Sequence, residues 1–395
     1  MRKTLIFASA VCTSAPAAAD PIQLRADALA TTGAPAGLVT VSADGSMDPG
    51  VSAEAVLWTG GGTVHSVGTI GDDSHADILV MVLRAHTADG RASGRIGRFI
   101  ESLGALRPVQ VDGAAGLVSL PLHVDVEAFA GSPVVAGLTT TRAWDWIAGG
   151  RVSRPIGDMG SVGIAYAEQR ADGALVTEEL GVDAGASLGK LDDVGARLAY
   201  DLANPGLAEA SLTASHRFKT LRVELYSSFR APSHLVPATS LFSVLGDAPA
   251  ERAGTDLTWR AAPRLDVSGD LGVRHSDGAS APEIVVRARL RLDERGASAL
   301  SAELRRDGVR DDQWTGARCV ARIALPRSLM VSTELELVIP DDSRGLGGVW
   351  PWALVALGWD NGTWHAAIAG EADASPQDRR RVDVLVQVGR RWGIK

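Results

Sequence analysis

From residue 158 onward, apolar side chains recur at every second position in segments of about ten residues, the repeat of a strand with one apolar face. Leu221, Val223, Leu225 and Phe229 interleave with Arg222, Glu224, Tyr226 and Arg230. Leu265, Val267, Leu271 and Val273 oppose Asp266, Ser268, Asp270 and Arg274, while Ile284, Val286, Ala288, Leu290 and Leu292 oppose Arg287, Arg289 and Arg291. Val331, Leu335, Leu337 and Ile339 stand against Ser332, Glu334 and Glu336, and Val382, Val384, Val386 and Val388 against Asp383 and Gln387. Helical periodicity is nowhere convincing. These are two-faced antiparallel strands, about 14 of them between 158 and 391. Before residue 155 the alternation weakens, and Pro35 to Ala43, Val51 to Trp58, Asp77 to His86 and Arg91 to Ile100 are among the strands expected there. The segments 61–76 and 132–143, rich in Gly, Ser, Thr and Asp, read as loops.

The connections alternate in length from the strand at 221–230 onward. Long ones are expected at 231–253, 276–282, 306–312, 340–347 and 372–380. Short ones fall at Pro263, at Glu294 to Ala297, at Pro326 and Arg327, and at Asp360-Asn361-Gly362. Long and short connections therefore lie on opposite rims, and the last hairpin loop is a long one. A barrel spanning the outer membrane, with tight periplasmic turns and its C-terminus in the periplasm, has this arrangement; a sandwich or propeller has no reason to keep it.

Arg2 and Lys3 precede the apolar stretch Leu5 to Val11, and Ala17, Ala18 and Ala19 stand before Asp20, which reads as a signal peptide over 1–19 with cleavage after Ala19. Removing it takes the net charge from −8 to −10 and discards Cys12, leaving Cys319 as the single cysteine of the mature chain. No intramolecular disulfide follows from that count. With 46% hydrophobic and 22% charged residues the chain is not disordered, and its acidic balance disfavours nucleic acid as a partner. Beyond the first twenty residues no apolar run reaches the length of a spanning helix.

The stretch Gly94-Arg95-Ile96-Gly97-Arg98-Phe99, continuing through Gly104-Ala105-Leu106-Arg107-Pro108-Val109-Gln110-Val111-Asp112-Gly113, resembles the arginine-bearing wall strands and turns of porin-like bacterial outer-membrane β-barrels. Together with the strand and loop pattern, this resemblance extends at class level over nearly the whole mature chain. It implies an all-β fold: a transmembrane antiparallel up-and-down barrel of about 16–20 strands, with 18 as the best estimate, formed by residues 20–395 as one unit. A separate periplasmic or plug-like β domain over 20–155 is the alternative. The chain departs from the class in its 5% aromatic content and in ending Arg391-Trp392-Gly393-Ile394-Lys395.

If the apolar face meets lipid, the polar face lines a lumen. The lining residues are then Arg222, Glu224, Asp266, Asp270, Arg287, Arg289, Arg291, Glu303, Arg305, Arg318, Arg322, Glu334 and Glu336, in mixed rows that orient polar or ionic solutes. The long loop 231–253 is too apolar for a solvated connection, so His234, Leu241, Phe242, Leu245 and Arg252 are assigned to a constriction inside the lumen or a cap over its mouth. Trp350, Trp352, Trp359 and Trp364 fit two interface girdles, the other reading for the first two being packing within a loop. Cys319 shares parity with Ala317, Ala321 and Ile323 and is expected to face lipid.

Catalytic motifs fare poorly. Gly185 to Lys190 lacks the spacing of a phosphate loop, and no G-x-S-x-G or H-E-x-x-H occurs. The eight histidines have no metal-ligand spacing, although a Ser–His pair assembled in space around His216 or His275 stays open. The expectation is a channel and not an enzyme, without metal or cofactor, with outer-membrane lipid and small polar solutes as partners. Two other readings remain: a plugged barrel anchoring a cell-surface assembly, such as one for polysaccharide export or motility, and a soluble periplasmic β protein. Oligomeric state is not legible.

Overall fold

The computed structural model describes residues 22–394 except 33–35, 49, 67–68, 135–144, 232–249, 277, 309–312, 342–347 and 375–380. The first third of the chain supplies β1 (Ile22–Thr31), β2 (Ala36–Asp48), β3 (Val51–Ser66), β4 (Thr69–His86), β5 (Ala92–Glu101), β6 (Val109–Leu120), β7 (Val124–Pro133) and β8 (Trp146–Ile156). Then follow β9 (Gly160–Ala171), β10 (Ala174–Leu188), β11 (Asp192–Asp201), β12 (Gly206–Arg217), β13 (Leu221–Arg230), β14 (Ala250–Ala262) and β15 (Leu265–Ser276). The wall ends with β16 (Ala279–Arg291), β17 (Ala299–Asp307), β18 (Trp314–Leu325), β19 (Leu329–Pro340), β20 (Trp350–Asp360), β21 (Trp364–Asp373) and β22 (Arg381–Ile394). Each strand pairs antiparallel with the next, and β1 pairs with both β2 and β22, so the sheet closes on itself.

The barrel has 22 strands, not the 18 expected. The 14 strands from β9 to β22 match the alternation, and the shortfall lies in the first third. There Gly113, Gly116, Gly131, Gly149 and Gly150 stand inside β6, β7 and β8 and blur the two-residue period. Residues 61–66 and 69–76 continue β3 and β4 as a paired hairpin, although their composition reads as loop. The connection expected to be long at 276–282 is short, since β15 ends at Ser276 and β16 begins at Ala279.

Large aliphatic side chains cover the outer face, among them Ile96 at 61%, Leu304 at 61%, Leu335 at 59% and Val355 at 57% exposure. Their in-between neighbours turn inward, where Glu303, Glu336 and Phe129 are buried. Both described chain ends, Ile22 and Ile394, lie on one rim and pair with each other. Connections on that rim have two to seven residues, while those on the other reach 12 at 134–145 and 19 at 231–249. A polar row clasps the closure: Asp27, Gly389 and His365 sit side by side across β1, β22 and β21. His365 Nε2 reaches over Gly389 to Asp27 Oδ1 at 2.5 Å, and a Cβ at 389 would strike the imidazole. Gly389 is therefore required by close approach, not by backbone angle.

Candidate functional site

The inner wall is the functional surface a closed barrel offers, and its arginines fall into two groups. On β13, Arg222 Nη2 donates to Glu224 Oε2 at 2.8 Å. Asp270 on β15 accepts from the Tyr226 hydroxyl at 2.5 Å and from Arg252 Nη2 at 2.6 Å, and Arg252 also pairs with Glu283. On β16 to β19, Arg287 pairs with Glu303, Arg305 with Glu303 and Glu336, and Arg318 with Glu334 at 2.5 Å. By register Arg287 opposes Glu303, which opposes Arg318, which opposes Glu336, so the row alternates in sign. Arg318 nevertheless takes Glu334, two residues along β19, and Arg305 reaches across β18 to Glu336. The Arg287–Glu303 pair, with its arginine half in water, is worth about 0.2–1 kcal/mol, whereas Arg305 and Glu336 are largely buried. Arg291 reaches Asp266 at 3.3 Å. Arg289 and Arg322 face the same side with no carboxylate within ion-pair distance among the described residues.

Among the described residues, the segment that enters the lumen is the connection 102–108. His234, Leu241, Phe242 and Leu245 lie outside the described residues, and Arg252 belongs to β14 on the wall. The connection 102–108 between β5 and β6 folds inward, with Leu103 at 2%, Ala105 at 6% and Leu106 at 5% exposure. It forms a tight turn in which the Leu106 N–H donates to Leu103 O at 2.9 Å. Leu106 lies against Gly181 on β10, and Arg107 forms an ion pair with Glu179 on the same strand. Gly104, at φ +54°, presses on the charge cluster beneath: a side chain there would collide with Asp183 and come within 2.7 Å of Arg151 Nε. Only glycine meets both demands at no cost. Arg151 on β8 holds that cluster, donating to Glu127 Oε1 at 3.0 Å and to both oxygens of Asp183 at 2.6 and 3.1 Å. Leu103 and Leu106 thereby join Phe99, Val111, Phe129 and Ile147 in one apolar cluster inside the barrel. Its trace in the sequence is the apolar run Leu103-Gly104-Ala105-Leu106, too hydrophobic for a solvated connection, the same criterion that singled out 231–253.

The wall itself directs this loop inward. The β4–β5 ladder stops at the pair Met81–Arg98, so six register pairs join these strands. Beyond it, the carbonyls of Ile78 and Leu79 accept hydrogen bonds from side chains: Arg98 Nη1 at 2.8 Å and Gln110 Nε2 at 2.5 Å. Arg98 also grips Asp112 through Nε at 2.6 Å and Nη2 at 2.8 Å. Side chains thus replace the missing strand ladder where β5 departs, which keeps these backbone acceptors satisfied.

The tryptophans divide. Trp359 and Trp364 face outward near the rim that holds the chain ends, where Arg390 stacks on both Trp364 and Trp392 at 4.8 and 4.9 Å. Trp350 and Trp352 do not belong to a girdle. They oppose Val338 and Glu336 on the inner face, and Trp352 Nε1 donates to Glu371 Oε1 at 2.6 Å. Pro351 keeps the strand in register while occupying the outward position between them, so parity places both indoles inside. Cys319 is exposed and shares the outer face with Ala317 and Ala321. His216 contacts Asp192 at 2.5 Å and Phe218 edge-on, and His275 Nδ1 lies 3.0 Å from Ser280 Oγ. The described residues hold no group of three metal-ligating side chains. On the long-loop rim, a hydrogen bond from Arg306 holds the Asp341 carboxyl below its ordinary value.

Comparison with known proteins gives the architecture a context. No protein-family model and no curated sequence match the chain. Among solved structures it is similar to the P pilus usher PapC translocation pore, with TM-score 0.52 and 10% identity over 95% of this chain and 99% of that one. The ferric enterobactin receptor PfeA of Pseudomonas aeruginosa matches with TM-score 0.62 and 8% identity over 96% of this chain and 82% of the receptor. The FrpB iron transporter of Neisseria meningitidis matches with TM-score 0.57 and 10% identity over 94% and 82%.

The fold is that of an outer-membrane β-barrel.

Identities this low carry the fold alone. A sheet of 22 strands spaced about 4.8 Å and tilted about 40° closes at a diameter on the order of 40 Å between backbones, wider than a seven-residue loop can fill.

Proposed function

We propose that the mature chain, after removal of residues 1–19, resides in the outer membrane and passes small polar or ionic solutes through its lumen as a passive or weakly selective channel. The observation that carries this reading is the division of the wall: exposed aliphatic side chains outside, ladders of arginine and carboxylate inside. An outer band of that kind suits hydrocarbon, and an inner face of partly hydrated ion pairs suits water. Loop 102–108 narrows the passage from one side, and the connection 231–249 is proposed as a second constriction or a cap over the mouth. Its partners are membrane lipid and small solutes, and no reacting group is called for. Swelling of liposomes carrying the refolded full chain, challenged with neutral sugars of graded size, tests the reading. Swelling that falls off with sugar size is the expected result. A heat-modifiable, membrane-embedded chain that admits none of them overturns it in favour of a closed barrel that anchors a surface assembly.

A further inference from the structure

The inner wall over β16–β18 changes character along its length. In its middle, every arginine has an acidic partner: Arg287 and Arg305 share Glu303, Arg305 reaches Glu336, and Arg318 takes Glu334. Towards the rim with the chain ends, β16–β18 carry no further inward carboxylate while the arginines continue, and the acid beside them is Asp266 on β15, opposite Arg289 by register. Arg291, Ala299 and Arg322 form one row across three strands, and Arg289 and Ser301 stand in the adjacent row. Arg291 is engaged by Asp266 and by Pro263 O at 3.1 Å. The Arg322 Nε contact is the thioether of Met330, a weak acceptor, and Arg289 has no hydrogen-bond or ionic partner among the described residues.

From this geometry we propose that Arg289 and Arg322 form an oxyanion site on the lumen wall, taking the phosphate or carboxylate group of a small solute, with Arg291 held beside them by Asp266. The inference rests on the channel reading and narrows its solute class. Ser301, short and part-exposed, leaves the wall beside Arg289 open, while Ala299, at 9% exposure, is covered between Arg291 and Arg322. The two arginines stand two strand spacings apart, roughly 10 Å, which guanidinium arms from either side span. Guanidinium forks bind such groups in pairs of charge-assisted hydrogen bonds, and Ser301 adds a hydroxyl donor at the floor. In the middle of the wall the neighbouring carboxylates already occupy the forks, so the same residue type there offers no site.

The test uses the full chain in planar bilayers, with inorganic phosphate added to a chloride electrolyte. Phosphate is expected to reduce the chloride current, and the double variant Arg289→Gln/Arg322→Gln to weaken that effect about tenfold or more, the loss of at least one charge-assisted hydrogen bond. The charge-matched control is the pair Arg264→Gln/Arg327→Gln, in the 263–264 and 326–328 turns of the same rim, which is expected to leave it unchanged. Equal phosphate sensitivity in wild type and double variant overturns the site while leaving the channel intact. If neither conducts, the channel reading fails, and the site is then decided by ³¹P line broadening of phosphate with the refolded chain. Broadening lost in the double variant supports it, and its absence in the wild type overturns it.

Discussion

Over β7–β10 the inner wall is covered by loop 102–108, with Phe129, Ile147 and Leu106 almost wholly out of water, whereas over β16–β19 it meets the lumen through ion pairs in which Arg287 keeps 52% of its side chain exposed. The two arcs belong to one sheet, yet different forces hold their inward side chains. Apolar burial and ion pairs shut away beneath the loop act together on the first arc, and breaking either is costly; on the second arc the pair at Arg287 is half in water and cheap to rearrange. The difference follows from where the ladder is incomplete. Where β5 parts from β4 beyond Met81, the chain turns inward and needs a surface, and β7–β10 provide one.

That contrast can be broken most strongly at Arg107. Arg107→Ala leaves Glu179, 11% exposed at its side chain, without the guanidinium that answers it, and is expected to cost the docked loop roughly 3–5 kcal/mol. Protease cleavage within 102–108 in the variant, absent from the wild type, is the readout. Leu106→Ala follows, with about 2–5 kcal/mol lost from the same docking and faster amide exchange at Leu106 as the measure. On the other arc, Arg287→Ala is expected to change stability by less than about 1 kcal/mol, followed through the heat-modifiability midpoint, because Arg287 is half in water and Glu303 keeps Arg305 at 3.9 Å. A loss there as large as at Leu106 would erase the distinction between the arcs.

The smallest effect lies in the turn 292–298. The Asp293 carboxyl is held below its ordinary value of 3.8, by the Ser298 side chain first and then by backbone donors that include Ala297 N–H at 3.0 Å. A depressed carboxylate stabilises the turn in full above its unfolded value and loses that contribution as pH falls through the lower folded one. The protection of the Ala297 and Ser298 amides, exchange being taken relative to its intrinsic rate at each pH, should therefore fall below about pH 4 in the wild type, and be low at every pH in Asp293→Ala.

The alternation made β9 to β22 legible because each carries large aliphatic residues on one face and charge on the other; Leu335 beside Glu334 and Glu336 is typical. It failed over β6 to β8, where glycines and alanines leave too little contrast between the faces for a two-residue period to be seen. Parity alone put Arg287, Glu303, Arg318 and Glu336 on one surface, but their pairing depends on register, which composition does not set. Trp350 and Trp352 misled because spacing between indoles was weighed ahead of their parity with Leu354 and Glu336. Loop 102–108 is hidden by its length, since seven residues read as an ordinary turn; its apolar run marks it as buried, but nothing local tells that Gly104 must rest on Asp183.

Single-channel conductance of the full chain, set beside that of Leu106→Asp, bears most directly on whether the docked loop lies in the permeation path. A carboxylate cannot stay in the apolar cluster of Phe99, Phe129 and Ile147, so the loop must leave the wall. A steady wild-type conductance with an altered, noisier one in Leu106→Asp is the predicted result. Identical conductance in the two, with the variant loop shown by proteolysis to be released, would contradict it.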